Sequence, residues 1–219
     1  MDYGLRGDGM FGRNMPAIGW IQIAYQVKEF QIVGPAWIST EKFDIEAKTE
    51  SPSHSSSQIY LMLQSLLADR FNLKLHRETR ESTIYALVPG RGGVKMKPSK
   101  DQTLWAGDFP DGSPDGRPVT AGGPTELAPG RFFGEAIPMT MFVNLLAGPL
   151  GRPVVNKTGL AGRYDIDLRY DPASGQSPDA ADTPSLFTAI QEQLGLRLES
   201  AKGPVEFLVI DHIERPGDN

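Results

Sequence analysis

A chain of 219 residues, 39% hydrophobic and 22% charged, has the balance of an ordinary globular protein and is long enough for one large domain or two small ones. Its net charge of −5, with no cluster of Lys or Arg, argues against a nucleic-acid-binding face. The absence of cysteine excludes disulfides, thiolate nucleophiles and Cys-based metal sites, and no run approaches the roughly 18 apolar residues that a membrane helix needs.

Met1–Phe11 has no apolar segment of the kind a signal peptide carries, so the chain reads as starting inside a domain, with a leader or an upstream strand removed. Phe11–Asn14 reads as a short strand. Pro16 suits the first position of a helix, where a missing N–H costs nothing, and Ile18, Ile21, Ala24 and Tyr25 follow at helical spacing. Gly34-Pro35 breaks the chain. Phe43, Ile45 and Ala47 then alternate with Asp44, Glu46 and Lys48, the pattern of a strand with one buried face. A polar loop, Thr49–Ser57, leads to a helix over Gln58–Asp69 with Ile59, Met62, Leu63, Leu66 and Leu67 as its stripe. Leu73–His76 and Thr83–Val88 read as a hairpin around the charged turn Arg77–Glu81, with Val94, Met96 and Pro98 continuing as an edge strand. Ser99–Pro129 is rich in Gly, Pro and Asp, carries the steps Asp111-Gly112 and Asp115-Gly116, and reads as an exposed linker.

Beyond it, Phe132-Phe133 is a strand. A helix opens at Pro138 with Met141, Phe142, Leu145 and Leu146 along it, and Gly148-Pro149 should end or kink it. Val154-Val155 is a short strand, Tyr164–Tyr170 a longer one, Asp171–Pro184 a polar loop and Ser185–Gln193 a helix. Leu196–Glu199 and Val205–Asp211 read as a closing hairpin with its turn near Lys202-Gly203-Pro204.

The plan is written twice. Gly9-Met10-Phe11-Gly12, Pro16 and Phe43-Asp44-Ile45-Glu46 return as Gly130-Arg131-Phe132-Phe133-Gly134, Pro138 and Tyr164-Asp165-Ile166-Asp167, and Leu63, Leu67, Phe71, Leu73 and Leu75 return as Leu186, Ile190, Leu194, Leu196 and Leu198. The expectation is an α+β fold of two tandem β-α-β-α-β-β units, 1–98 and 130–219, joined by the linker 99–129, with helices packed on small mixed sheets.

Four constellations carry potential chemistry, each with a plainer reading. Gly151-Arg152-Pro153-Val154-Val155-Asn156-Lys157-Thr158 is one residue from a phosphate loop, but Asn156 stands where glycine is needed, so a turn before a strand is expected. Ser39-Thr40-Glu41-Lys42 and Lys157-Thr158-Gly159 echo elements of penicillin-binding enzymes, but Lys42 runs straight into a strand and no Ser-Asp-Asn element lies between. Of His54, His76 and His212, the last two close equivalent hairpins and could converge, yet exposed strand residues are the plainer reading, and there is no His-Glu-x-x-His helix. Asp44/Glu46 and Asp165/Asp167 each share a strand face and suit acid–base work only if buried; a solvated face is expected. Trp20, Trp37 and Trp105, with Tyr25 and Phe30, are the aromatic residues from which a partner-gripping surface could be built, Trp105 above all if it is exposed.

The string Gly151–Leu168, with Pro184–Leu196, Lys202-Gly203-Pro204-Val205-Glu206, and Leu67–Phe71 followed by His76-Arg77-Glu78-Thr79, resembles a soil-associated, acidobacterial family of unknown function (DUF3738) over nearly the whole chain. Members of that family usually begin with a secretion leader and a strand of the type Phe-Glu-Val-Ala, and some relatives are fused to an antibiotic-sensor-type membrane peptidase. The resemblance therefore implies an extracytoplasmic setting. At the level of fold, the second copy is also similar to the short N-terminal domain of secretins and TonB-dependent receptors, which are interaction modules. The expected function is a non-catalytic extracytoplasmic binding domain for an unidentified protein or peptide, using a sheet edge or the cleft between copies, with no cofactor, no metal and no catalytic residue. The alternative is a hydrolase acting on cell-wall or peptide material, built on Ser39, Lys42 and Lys157.

Overall fold

Pro16 and Pro138 each end a strand and start a helix, and the two halves are built outward from those points. The structure is a computed structural model. It describes residues 2–6, 9–48, 56–100, 102, 125–172 and 183–217, with side chains from 10–48, 58–100, 102, 128–172 and 183–217. The strands are β1 (Asp2–Arg6), β2 (Gly9–Pro16), β3 (Ile32–Val33), β4 (Lys42–Lys48), β5 (Lys74–Pro89), β6 (Lys97–Pro98), β7 (Thr125–Ala128), β8 (Arg131–Pro138), β9 (Val154–Asn156), β10 (Arg163–Arg169) and β11 (Leu196–His212). The α-helices are α1 (Ala17–Tyr25), α2 (Ser56–Phe71), α3 (Met139–Leu150) and α4 (Leu186–Leu194), and two short 3-10 helices occupy Glu29–Gln31 and Ala36–Ser39. The fold is mixed α and β, with helices on several small sheets.

The described chain divides into two units. Unit one holds the described residues up to Glu81 and those from Pro204; unit two holds the described residues between Ser82 and Gly203. In unit one, β1, β2 and β4 form an antiparallel sheet in that order. Met10, Met15 and Ile45 from this sheet, Trp20, Ile21 and Ala24 from α1, and Ile59, Leu63 and Leu67 from α2 make one buried cluster, joined by Leu208 of β11. Gln64 Nε2 donates to Ala24 O at 2.8 Å, which ties α2 to the end of α1. In unit two, the sheet order is β6-β10-β8-β7, all antiparallel. Its buried residues include Phe132, Ile137, Phe142, Leu146, Ile166, Leu168, Ile190 and Leu196, with Ile84 and Leu87 of β5.

The two expected hairpins are absent. Lys74–Pro89 is one 16-residue strand and Leu196–His212 one 17-residue strand, and each passes from one unit into the other at residues 81/82 and 203/204. Arg77–Glu81 has no Gly, Pro or Asn to reverse the chain, and its charges are consumed along extended backbone: Arg77 pairs with Glu206, and Arg80 Nη2 meets Glu78 Oε2 at 2.6 Å. Gly203 serves packing and not a turn, since a Cβ there would come within 2.8 Å of the Ile84 side chain. Among the described residues β3 meets β11 only at Leu208 and Val209, which leaves Pro204 without a strand partner on that side. Within unit one, β3 runs parallel to the end of β11; within unit two, β9 runs parallel to the end of β5.

Other departures are smaller. Gly148-Pro149 does not end α3; Pro149 lies in its last turn and the helix stops at left-handed Gly151. Gly195 ends α4 in the same conformation at φ 68°, packed so tightly that a Cβ would lie 2.0 Å from Gly93 O. Thr125–Ala128, expected as linker, is a strand on the edge of β8, and β1 takes the same place on β2, although no strand was expected from residues 2–6. Of the expected linker, residues 101 and 103–124 lie outside the described residues, as do most of the two polar loops, His54 and Trp105.

A C-terminal strap closes unit one. Ile213 packs on the core, Glu214 N donates to Phe71 O at 2.7 Å, and Arg215 forks onto Glu41 while its guanidinium lies 5.0 Å above the Trp37 ring. The Arg215 hydrogen bond holds the Glu41 carboxyl below its ordinary 4.5, outweighing its desolvation, and His212 and then Asn72 do the same for Glu214. Depressed folded-state values mean that the strap's electrostatic support is complete above the ordinary carboxylate value and is lost as pH falls through the lowered ones. The protection of the Glu214 amide, its exchange taken relative to the intrinsic rate at each pH, should therefore fall as pH drops below 4.5, and Arg215→Gln should return the Glu41 titration, followed by NMR, towards 4.5. In the cores, Leu67 and Ile190 are fully buried, so Leu67→Ala and Ile190→Ala should each cost about 2–5 kcal/mol in urea unfolding.

Candidate functional site

Unit two carries an apolar cleft of about 300 Å³. Phe132 of β8 and Leu168 of β10 form its floor, Phe142, Leu145, Leu146 and Pro149 of α3 one wall, and Leu186 at the start of α4 the other; Ala128, Pro129, Arg131 and Tyr170 complete the rim. Strand alternation puts Phe132 and Leu168 on the helix side, and Phe132 stacks at 5.6 Å against Phe142. α3 is apolar over a wider arc than a sheet can cover: Met139, Phe142, Val143, Leu146 and Ala147 are buried, which leaves Leu145 half-exposed in the cleft. The sequence placed Leu145 and Leu146 along the apolar stripe of this helix, so the surplus width of the stripe was the available signal for a cleft.

The charged group at the rim is already engaged. Arg131 Nε donates to Asp167 Oδ1 at 3.3 Å and its guanidinium lies 5.4 Å from the Phe133 ring centroid. Burial pushes the Asp167 carboxyl up, but Arg131 and then Arg169 outweigh it and leave the group below its ordinary range, an ionised partner for both arginines at neutral pH. The cleft thus offers apolar surface with a neutralised rim.

The paired carboxylates have divided roles that the sequence did not reveal. Asn14 and Ala136, each two residues before its helix-starting proline, adopt left-handed backbone at φ 54° and 50°. Asp44 Oδ1 accepts from Asn14 N at 2.7 Å, and Asp165 Oδ1 accepts from Ala136 N at 3.0 Å. The first aspartate of each pair therefore clamps a bulge in the neighbouring strand, where the β2–β4 and β8–β10 registers shift. The second members, Glu46 and Asp167, take Lys48 and the arginines just described. Arg163, 2% exposed, braces the second bulge by donating Nη1 to Ala136 O at 2.6 Å.

The remaining sequence candidates are dispersed. Asn156 Oδ1 accepts from both Thr158 N and Thr158 Oγ1, and Lys157 N donates to Leu87 O, so this stretch is a closed turn after β9 and not a phosphate loop. Ser39 ends a 3-10 helix and Lys42 begins β4 in unit one, while Lys157 belongs to unit two; among the described residues these three share no hydrogen bond. His76 Nδ1 meets Asp211 at 2.9 Å and His212 Nε2 meets Glu214 at 2.7 Å, and among the described residues no group of three or more His, Asp or Glu side chains is placed to hold a metal ion. Trp20 is core, and Trp37 lies under Arg215 and against Phe43. Among the described residues, no helix is long and apolar enough to cross a membrane.

A family model described as "Protein of unknown function (DUF3738)" matches residues 19–213. No curated protein and no solved structure matches the chain.

The bulge clamps have a direct consequence. Asp44→Ala and Asp165→Ala should each destabilise by about 0.5–1.5 kcal/mol, whereas Asp→Asn at either site, which keeps an acceptor oxygen, should lose less. Chemical unfolding of the four variants measures this.

Proposed function

As the chain belongs to the DUF3738 family, we propose that it is a non-catalytic, extracytoplasmic binding module that takes an apolar side chain of a protein or peptide partner in the cleft of unit two. The extracytoplasmic setting rests on the family resemblance. The binding reading rests on one observation, a cleft of about 300 Å³ whose floor and walls are apolar and whose rim charge is spent on Asp167. That volume is at the small end for ligand pockets, so it suits one large side chain or a compact ligand better than an extended substrate.

The energetics fit recognition of modest strength. Removing about 100 Å² of apolar surface from water gives roughly 2.5 kcal/mol, and fixing the partner costs part of it. Useful affinity therefore needs contacts around the rim as well as the anchor in the cleft. The hydrolase reading would require a nucleophile with a base in reach, and no observation favours it: Ser39 and Lys42 share no hydrogen bond, and the cleft residues are aliphatic and aromatic except for Arg131 and Tyr170.

The proposal predicts that indole or N-acetyl-leucine amide shifts the methyl resonances of Leu145, Leu146, Leu168 and Leu186 together, and that Leu145→Asp, at a half-exposed position, removes the effect while the chain stays folded. Absence of those shifts, or peptide hydrolysis that Ser39→Ala abolishes, would sink it.

A further inference from the structure

Both walls of the cleft in unit two lead on into a second surface. Leu186 of the α4 wall is followed by Phe187, a large aromatic residue that is 46% exposed. Pro149 of the α3 wall is followed, after left-handed Gly151, by the exposed Arg152. Both reach Tyr85 of β5. The Phe187 ring meets the Tyr85 ring edge-on at 5.5 Å, and the Arg152 guanidinium lies over the Tyr85 ring, 5.5 Å from its centroid. Tyr85 N donates to Pro153 O at 2.9 Å, so backbone pairing fixes Tyr85 beside the residue that follows Arg152. An aromatic ledge ending in a cation therefore adjoins the cleft.

That cation differs from its neighbours. Arg131 and Arg169 share the Asp167 carboxylate, and Arg197 meets Glu199. Arg152 makes no ion pair among the described residues; the Tyr85 ring is what holds it. Stacking engages the face of a guanidinium and leaves its in-plane N–H groups for an acceptor, the arrangement in which arginine takes a carboxylate through two parallel hydrogen bonds. Charge complementarity at the end of the ledge thus calls for an anion. The Phe187 ring and the guanidinium are at most about 11 Å apart through Tyr85, the span of roughly three extended residues.

We propose that the partner of the cleft is an acidic peptide segment, in which a carboxylate side chain about three residues from the apolar anchor pairs with Arg152 while the chain between them crosses the Phe187–Tyr85 ledge. This inference rests on the cleft reading above and adds the chemistry of the partner. The ledge supplies the apolar contact around the anchor that the cleft alone lacks, and the carboxylate supplies selection.

The test titrates the full chain, labelled with ¹⁵N and on its leucine methyls, with capped Leu-Ala-Ala-Glu and Glu-Ala-Ala-Leu, which present the two chain directions, and with the same peptides carrying glutamine for glutamate. In one direction the glutamate peptide should shift the methyls of Leu145 and Leu186 together with the Tyr85 amide and the Arg152 Nε–H. It should bind about fivefold more tightly than its glutamine counterpart at low salt. That advantage should shrink at about 0.5 M salt and vanish in the Arg152→Gln chain. Equal binding of the glutamate and glutamine peptides, with the methyls shifted, keeps the cleft and overturns the acidic partner. So does a glutamate advantage that survives Arg152→Gln. No methyl shift with any of the peptides overturns the inference; if N-acetyl-leucine amide is silent too, the cleft reading falls with it. Octanoate binding where no peptide binds, or self-association through the ledge that the peptides do not compete away, would overturn it in favour of an amphiphile or a second copy.

Discussion

Neither half of the sequence contains all of the strand that its own helices need. Leu208, near the C-terminus, is buried among Trp20, Leu63 and Leu67 in unit one, while Ile84 and Leu87, from the first half, are buried in unit two. The exchange works because β5 and β11 each remain extended for their full length, so one strand serves two cores. Apolar residues set this apart from a loose tether, since each exchanged segment fills a cavity in close-packed surroundings. It also couples folding to contacts between residues far apart in sequence, which slows the search for the native state.

The second organising device is local. A strand that must turn directly into a helix at a proline cannot keep regular pairing to its last residue. Both halves solve this with a left-handed residue two positions before the proline and an aspartate on the next strand to receive its N–H. An L-residue in that conformation costs on the order of 1 kcal/mol, and a hydrogen bond to a charged acceptor offsets that cost. Asparagine at position 14 accepts the conformation more readily than alanine at 136, and it is at 136 that a buried arginine adds a second brace. The carboxylates that looked like a catalytic pair are thus committed to backbone geometry and to surface arginine and lysine partners.

How much of this was legible follows from the reach of each signal. Helix stripes and the alternation of Phe43–Lys48 and Arg163–Arg169 are local, and the helices and strands lie where those periods put them, within a residue or two. The charged stretch Arg77–Glu81 and the step Lys202-Gly203-Pro204 were read as turns because their partners are distant: Glu206 straightens the first and Ile84 explains the glycine of the second. No period in a single strand reports which segment will lie beside it. The cleft was invisible for a related reason. Leu145 and Leu146 have identical local credentials, yet Leu146 is buried and Leu145 only half-buried, and both line the hollow.

The two units spend similar parts differently. Four residues after each helix-starting proline stands a large aromatic, Trp20 in unit one and Phe142 in unit two, and both are fully buried. The indole of Trp20 fills its core with an Nε1–H that finds no acceptor among the described residues, a loss of about 1–3 kcal/mol that good packing offsets. The smaller ring of Phe142 leaves a concavity beside it, lined by Leu145 and Pro149. Conversely, β10 of unit two has β6 on its outer side, while among the described residues β4 of unit one has no strand there.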